Sequence, residues 1–67
     1  MITEFNINPT AEQLDQLDVY SFDYGIDDYI WFENANTKIC TENEKAVEHL
    51  KEILAELDIE FTTTTRD

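Results

Sequence analysis

Residues 41–57 read TENEKAVEHLKEILAEL and carry the clearest structural pattern in the chain. Thr41 followed by Glu44 matches a capping box, a pairing that begins many helices. Apolar residues then recur at three- and four-residue spacing, which is typical of a helix with one face on a core. They are Ala46, Val47, Leu50, Ile53, Leu54 and Leu57. The pattern predicts a helix over residues 42–57, the second helix of the chain.

Strands are predicted on both sides of this helix. After it, residues 59–65 form a closing strand with Ile59 and Phe61 on one side, because β-branched and aromatic residues dominate the segment. Before it, the aromatic and β-branched residues 29–33 predict another strand. Asn34-Ala35-Asn36 then supplies turn residues that tolerate positive φ, and residues 37–41 return as the second arm of a hairpin.

The first third of the chain predicts a strand followed by a helix. Residues 2–7 alternate imperfectly between apolar and polar side chains, as a strand beside a core can. Thr10 with Gln13 is a second capping box, which predicts a short helix over residues 11–18. Residues 19–24 fit either a connection or a strand with Tyr20, Phe22 and Tyr24 on one face, ended by Gly25.

The element order is β-α-β-β-α-β if residues 19–24 are a connection. That order matches the split βαβ, ferredoxin-like arrangement. If residues 19–24 are a strand, the sheet gains one member and the topology is open. Either way the chain, residues 1–67, is expected to be a single small acidic α+β domain. Its sheet would be antiparallel or mixed, with two helices on one face.

Sixteen acidic residues face four basic ones, and the formal net charge is −12. This charge argues against direct binding to nucleic acid, which depends on Lys and Arg contacts to phosphates, and against anionic membranes. Residues 1–37 hold eight of the acidic residues and no Lys or Arg. The single cysteine excludes an internal disulfide, and no apolar run is long enough to span a membrane. We therefore expect a cytoplasmic protein.

Catalytic and metal-binding motifs are absent from the pattern. Asp23, Asp27 and Asp28 surround Gly25, but their spacing does not match a calcium-binding loop. His49 and Cys40 are the only classical base and nucleophile candidates, and one of each cannot supply a structural zinc site. We expect no enzymatic activity, no cofactor and no metal, with Cys40 a small buried residue.

The stretch from Tyr20 to Glu33 holds six of the eight aromatic residues with four carboxylates among them. Phe22, Ile30 and Phe32 are predicted to lie in the core. The remaining aromatic residues either cover an edge of the sheet or form a binding surface, where Tyr and Trp are enriched. The predicted partner-binding residues are Asp23, Asp27, Asp28, Tyr24, Tyr29, Trp31, Glu33, Glu44, Glu48 and Glu52.

The last three of these follow one another at four-residue intervals, a step of about 6 Å along a helix. Rows of carboxylates at such spacing can imitate the phosphates of a DNA strand. In size, charge, lone cysteine and α+β pattern, the chain resembles small acidic inhibitors encoded by phages and mobile elements. These include DNA mimics, anti-restriction proteins and anti-CRISPR proteins.

The resemblance implies an inhibitor, a monomer or homodimer, that acts in the cytoplasm of an infected or host bacterial cell. It would occupy a basic nucleic-acid-binding surface on a defence or DNA-processing protein. One alternative is an immunity protein or antitoxin that neutralises a basic toxin. Another is an adaptor whose acidity serves only solubility.

Overall fold

The structure, a computed structural model, describes all 67 residues. Four strands and two helices follow one another in the predicted order, with one short 3-10 turn between α1 and β2. The elements are β1 (Ile2–Ile7), α1 (Ala11–Asp23), the 3-10 turn (Asp27–Tyr29), β2 (Ile30–Glu33), β3 (Lys38–Thr41), α2 (Glu44–Glu56) and β4 (Phe61–Arg66). The α+β class and the β-α-β-β-α-β order are confirmed.

The four strands form one antiparallel sheet in the order β2-β3-β1-β4. Strands β1 and β2 are parallel with β3 between them, and β3 and β4 are parallel with β1 between them. This is the interleaved pair of split βαβ units expected of a ferredoxin-like fold. Because side chains alternate along a strand, one face of the sheet packs on the helices and the other remains uncovered.

The core lies between the sheet and the two helices. The sheet contributes Phe5, Ile7 and Ile39, and α1 contributes Leu17. The other six members of the buried cluster are Ile26, Ala46, Leu50, Ile53, Leu54 and Ile59, with Val47 and Leu57 packed partly against them. The predicted apolar stripe of α2 is therefore confirmed.

Helix α1 continues to Asp23, beyond the predicted end at residue 18, so residues 19–24 are neither a connection nor a strand. The predicted capping box of Thr10 and Gln13 is confirmed at its start. The helix continues because Tyr20 and Tyr24 pack against the core, and the buried Ser21 satisfies its hydroxyl by donating to the Leu17 carbonyl at 2.7 Å. It ends where Gly25 takes a φ of 73° and the Ile26 amide donates to the Ser21 carbonyl.

The prediction that Phe22 lies in the core is wrong, since Phe22 is 71% exposed. On a helix, a residue five positions beyond the buried Leu17 is rotated by about 140° and points away from the sheet. Phe32 is also exposed, at 36%, because it lies on the edge strand β2. Ile30, the third predicted core residue, is only partly buried.

Helix α2 begins at Glu44 with Asn43 as its cap, whose side chain accepts from the Ala46 amide. The predicted Thr41 cap is wrong, since Thr41 is buried at the end of β3. The predicted turn over residues 34–36 is confirmed, with φ values of 55°, 54° and 64°. Strand β4 begins two residues later than predicted. No helix has the length and apolar character needed to cross a membrane.

Candidate functional site

Two adjoining hollows form a groove where the 3-10 turn and β2 meet the start of α2. We call it the acidic–aromatic groove. Its aromatic residues are Tyr24, Tyr29 and Trp31, and its carboxylates are Asp28, Glu42 and Glu44. Asn43, Lys45 and His49 complete the lining beside Gly25 and Ile26. Tyr29, Glu42 and Asn43 border both hollows, so the two are continuous.

The buried hydroxyl of Thr41 holds the two walls of the groove together. It donates to the Tyr29 carbonyl at 2.7 Å and accepts from the Asn43 amide at 3.0 Å. The first bond fixes the end of the 3-10 turn, and the second fixes the residue that caps α2. The aromatic wall and the carboxylate wall are therefore held in a set position before any partner arrives.

The electrostatic field around Tyr24 is negative. The nearby Glu56 carboxylate, partial burial, and the Glu52 carboxylate raise the pKa of Tyr24 above its ordinary value of 10.0, in that order of size, with Tyr20 adding to them. A negative charge on the phenol is unfavourable in this field. The same field would attract a cationic group to the groove.

His49 lies beside Tyr24, with the two rings 5.2 Å apart and edge-on at 69°. Its Nδ1 atom is buried without a hydrogen-bond partner. No cysteine or serine pairs with the imidazole, so the geometry does not form a nucleophile and base pair. In the groove, His49 acts as an aromatic wall.

A different group of polar residues lies on the uncovered face of the sheet. We call it the sheet-face cluster: Glu4, Trp31, Glu33, Lys38, Cys40, Thr64 and Arg66. Glu4 is 5% exposed and accepts from the Thr64 hydroxyl at 2.9 Å. Lys38 Nζ lies 3.5 Å from Glu4 Oε1, and Arg66 Nε lies 3.2 Å from Glu4 Oε2. The contact between Arg66 and Glu4 is an ion pair whose geometry does not form a hydrogen bond, so Glu4 Oε2 has no hydrogen-bond partner.

Glu33 is the second carboxylate of the sheet-face cluster. Trp31 Nε1 and Arg66 Nη2 donate to its Oε2 atom at 2.7 and 2.6 Å. The Trp31 bond, followed by the Arg66 bond, lowers the pKa of Glu33 below its ordinary value. The bond from Arg66 to Glu33 in turn raises the pKa of Arg66. Both carboxylates of this face are thus neutralised by cations of the chain itself.

Cys40 is buried, as predicted, beneath the same carboxylates. Burial, followed by the charges of Glu33 and Glu4, raises the pKa of its thiol. This opposes formation of the nucleophilic thiolate. The ligand atoms of Glu4, Glu33 and Cys40 lie within 4.8 Å of one another. Arg66 and Lys38 already balance the negative charges of Glu4 and Glu33, so the cluster does not favour binding of a metal cation.

The sheet-face cluster contains two carboxylates, Glu4 and Glu33, and two cations, Lys38 and Arg66. Fourteen carboxylates and two lysines therefore remain outside it, and they carry the full net charge of −12. Helix α1 has four of these carboxylates and no basic residue, whereas α2 has four with Lys45 and Lys51. The negative charge belongs to the helices and loops.

The structure brings five of the predicted partner-binding residues into the groove: Asp28, Tyr24, Tyr29, Trp31 and Glu44. Asp27 lies in the same 3-10 turn, and Asp23 lies at the end of α1. Glu48 and Glu52 are exposed further along α2. Glu33 does not line the groove: it lies on the uncovered face of the sheet and accepts from Trp31, whose ring borders both the groove and the sheet-face cluster.

Sequence reasoning missed Glu42, Asn43, Lys45 and His49 as groove residues, and it missed the buried Glu4. Glu42, Asn43 and Lys45 lie at the start of α2. A predicted helix start close to an aromatic-rich turn is the sequence signal that could have indicated them. Comparisons with protein-family models, with curated proteins and with solved structures found no match. The function is therefore inferred from the charges and surfaces of this chain.

Proposed function

We propose that this protein is an acidic protein-binding inhibitor. It docks its acidic–aromatic groove and the adjoining helix surface on a basic nucleic-acid-binding surface of a defence or DNA-processing protein, and so excludes the nucleic acid. The inhibitor is neither an enzyme nor a nucleic-acid binder in this proposal. Its partner is a basic protein or complex.

The observation that carries the proposal is the separation of charge. The two carboxylates on the uncovered sheet face are matched by Lys38 and Arg66, and the rest of the negative charge is matched by only two lysines. Such a field destabilises the isolated chain through self-repulsion, and it accelerates encounter with a basic partner. The groove lies within this field, as the raised pKa of Tyr24 indicates.

Aromatic residues give the groove the means to hold what the charge attracts. Tyr29 is 53% exposed and Trp31 is 36% exposed, so both rings can be covered by a partner. Lysine and arginine side chains stack favourably on Tyr and Trp rings. Asp28, Glu42 and Glu44 line the same groove and can pair with the charges of those side chains. Tyr and Trp in such positions are frequent interface hot spots.

The proposal is tested with two variants of equal charge. The groove variant combines Asp27→Asn, Asp28→Asn, Glu42→Gln and Glu44→Gln. The control variant combines Glu12→Gln, Asp58→Asn, Glu60→Gln and Asp67→Asn, which lie towards the other end of the helices or at the chain end. Gln13 of α1 reaches the Leu57 carbonyl there, at 3.4 Å. Both variants and the parent are immobilised and exposed to a bacterial lysate.

We expect a basic nucleic-acid-binding protein that the parent and the control variant retain and the groove variant loses. Once purified, it should lose its DNA or RNA when the parent is added. If both variants lost the captured protein equally, its binding would depend on net charge alone and not on the groove. If the captured protein kept its nucleic acid when the parent was added, inhibition would be contradicted. A captured protein that loses a toxic activity without nucleic acid would support the immunity-protein alternative.

Salt separates the two contributions. Binding of the captured protein should weaken as salt rises, because charges are screened over about 8 Å at physiological ionic strength. Tyr29→Ala should weaken binding by about 2 kcal/mol at every salt concentration if the ring is buried as an anchor. If the affinity lost in Tyr29→Ala changed with salt concentration as it does in the groove variant, Tyr29 would not be a buried anchor.

A further inference from the structure

Strand β4 is an edge of the sheet with no covering element. It is six residues long, and residues 62–65 are all threonine. Natural edge strands are commonly protected by prolines, bulges, inward charges or short length. Strand β4 has neither proline nor bulge, since its register with β1 is unbroken from Ile2↔Arg66 to Ile7↔Phe61. Its only charged side chain, Arg66, turns back over the sheet to Glu4 and Glu33.

The hydrogen bonds of β1 show which backbone groups of β4 are free. The Ile7 amide donates to the Thr37 carbonyl, on the β3 side of β1. In an antiparallel ladder the direction alternates, so Ile2, Glu4 and Asn6 present their backbone groups to β4. Their register partners Arg66, Thr64 and Thr62 are bonded in return. Phe61, Thr63 and Thr65 therefore point their amides and carbonyls away from the sheet.

This outward set is complementary to itself. If a second copy runs antiparallel with Thr63 opposite Thr63, then Phe61 faces Thr65 of that copy, and Thr65 faces its Phe61. Each of these three pairs consists of two outward residues and exchanges two hydrogen bonds, and the pairs of Thr62 with Thr64 between them exchange none. If the second β4 were shifted by one residue, each outward residue would face a residue whose backbone groups are already bonded to β1. If it were shifted by two, one of the three hydrogen-bonded pairs would be lost. The register centred on Thr63 uses all the free groups.

Charge favours the same register. It places Glu60 opposite Arg66 of the second copy, twice by symmetry. The Arg66 side chain is 44% exposed, and its contacts to Glu4 and Glu33 use Nε and Nη2. A guanidinium has five N–H donors, so Nη1 remains for Glu60. The other edge of the sheet is less suited, because β2 has four residues and its bonds to β3 leave only Ile30 and Phe32 outward.

We propose that the protein forms a symmetric homodimer through β4, which joins two sheets into one continuous antiparallel sheet of eight strands. The partner at this edge is a second copy of the chain, related by a two-fold axis at Thr63. The acidic–aromatic groove lies at the opposite edge, beside β2, so the dimer leaves both grooves free.

The test is sedimentation equilibrium over a concentration series, with the parent chain of 7.9 kDa. We expect a monomer–dimer equilibrium that strengthens as salt rises, because two chains of charge −12 repel each other. Hydrogen exchange should show the Phe61, Thr63 and Thr65 amides slowing with concentration. A monomer at all concentrations and salts would overturn the proposal.

Thr63→Pro is the decisive variant. The Thr63 amide points outward, so proline removes a dimer bond and blocks the approach without removing a bond within the chain. We expect a monomer, whereas Thr63→Ala should still dimerise. A chemically synthesised chain with an N-methyl group on Thr63 gives the same test if proline disturbs folding. Dimerisation that survives N-methylation would overturn the proposal.

Glu60→Arg places like charges opposite each other and should weaken the dimer by about three- to tenfold, the size expected for two exposed ion pairs. Glu60→Gln should have a smaller effect. Glu60→Arg that dimerises more tightly than Glu60→Gln would overturn the register centred on Thr63.

Discussion

The sheet-face cluster and the acidic–aromatic groove both contain carboxylates beside aromatic rings, yet their charges are arranged in opposite ways. In the cluster, Glu4 is buried and touches Lys38 and Arg66, and Glu33 accepts from Trp31 and Arg66. In the groove, Asp28, Glu42 and Glu44 share a single lysine, Lys45, and none of them forms an ion pair with it.

This difference separates carboxylates that serve the fold from those available to a partner. A buried carboxylate destabilises a protein unless cations and hydrogen bonds compensate for its lost hydration. An exposed, unmatched carboxylate has little effect on folding beyond repulsion. Removing charge should therefore have opposite effects on stability in the two regions.

Both regions depend on one core, and its disruption should have the largest effect. Leu50 is fully buried on α2, and Leu50→Ala should lower the free energy of unfolding by about 2–5 kcal/mol. Urea denaturation measures this loss. The exposed Glu48→Ala on the same helix should change it by about 0.5 kcal/mol or less. Equal midpoints for the two variants would show that α2 does not hold the sheet as described.

The sheet-face cluster should be the next most sensitive. Arg66→Met keeps the apolar stem but removes the guanidinium from Glu4, whose side chain is 7% exposed. We expect a loss of about 1–3 kcal/mol, the usual consequence of leaving a buried polar group without its partner. Lys51→Met is the matched control on α2, where no ion pair is made. Denaturation that gives the same stability for both variants would contradict the distinction between the regions.

Acid should weaken the contribution of Glu33 to stability. Hydrogen bonds from Trp31 and Arg66 lower the pKa of folded Glu33 below the unfolded value of 4.5. Its contribution to stability is therefore present above pH 4.5 and is lost as pH falls through the folded pKa. The melting-temperature difference between the parent and Glu33→Gln should shrink as pH falls below 4.5. A difference that grows in acid would contradict this assignment.

In the groove variant, removal of charge should stabilise the fold at neutral pH, whereas removal of the Glu33 charge should destabilise it. The reason is that neutralising the groove carboxylates relieves repulsion. Its melting temperature should equal or exceed that of the parent near pH 7. A groove variant that melts well below the parent at neutral pH would show that these charges also stabilise the fold.

The smallest expected effect is on the titration of Tyr24. Glu56→Gln should bring the pKa of Tyr24 down towards 10.0, because Glu56 is the largest cause of its rise. Phenolate absorbance follows the titration, and Tyr24→Phe identifies the contribution of this ring. Glu12→Gln, at the other end of the helices, should leave the pKa of Tyr24 unchanged.

The fold was largely predictable because its signals are local. The apolar stripe of α2 and the strand–turn–strand pattern around Asn34 each occupy fewer than about twenty neighbouring residues, as the mean sizes of such elements lead one to expect. Residues 19–23 were not assigned to α1 because Val19, Tyr20 and Phe22 favour strands when read alone. Their helical state depends on packing, since Tyr20 and Tyr24 contact a core built from distant segments.

The site was only partly predictable. The aromatic and acidic stretch pointed to Tyr24, Asp28, Tyr29 and Trp31, but the opposite wall comes from Glu42 to His49, brought near by the sheet. Glu33 and Glu4 could not be told apart from solvent-facing acids, because their partner Arg66 is far away in sequence. Only the register of β1 with β4 reveals that pairing.

That register also constrains how the chain reaches its folded state. Glu4 of β1 lies near one end of the chain, whereas Arg66 and Thr64 of β4, which compensate its charge, lie near the other. A chain with β1, β2 and β3 paired but β4 unplaced would leave β1 as an edge strand, and Glu4 would lack both the ion pair with Arg66 and the hydrogen bond from Thr64. Such an intermediate is penalised, so closure of the sheet by β4 and formation of the native state should be one event.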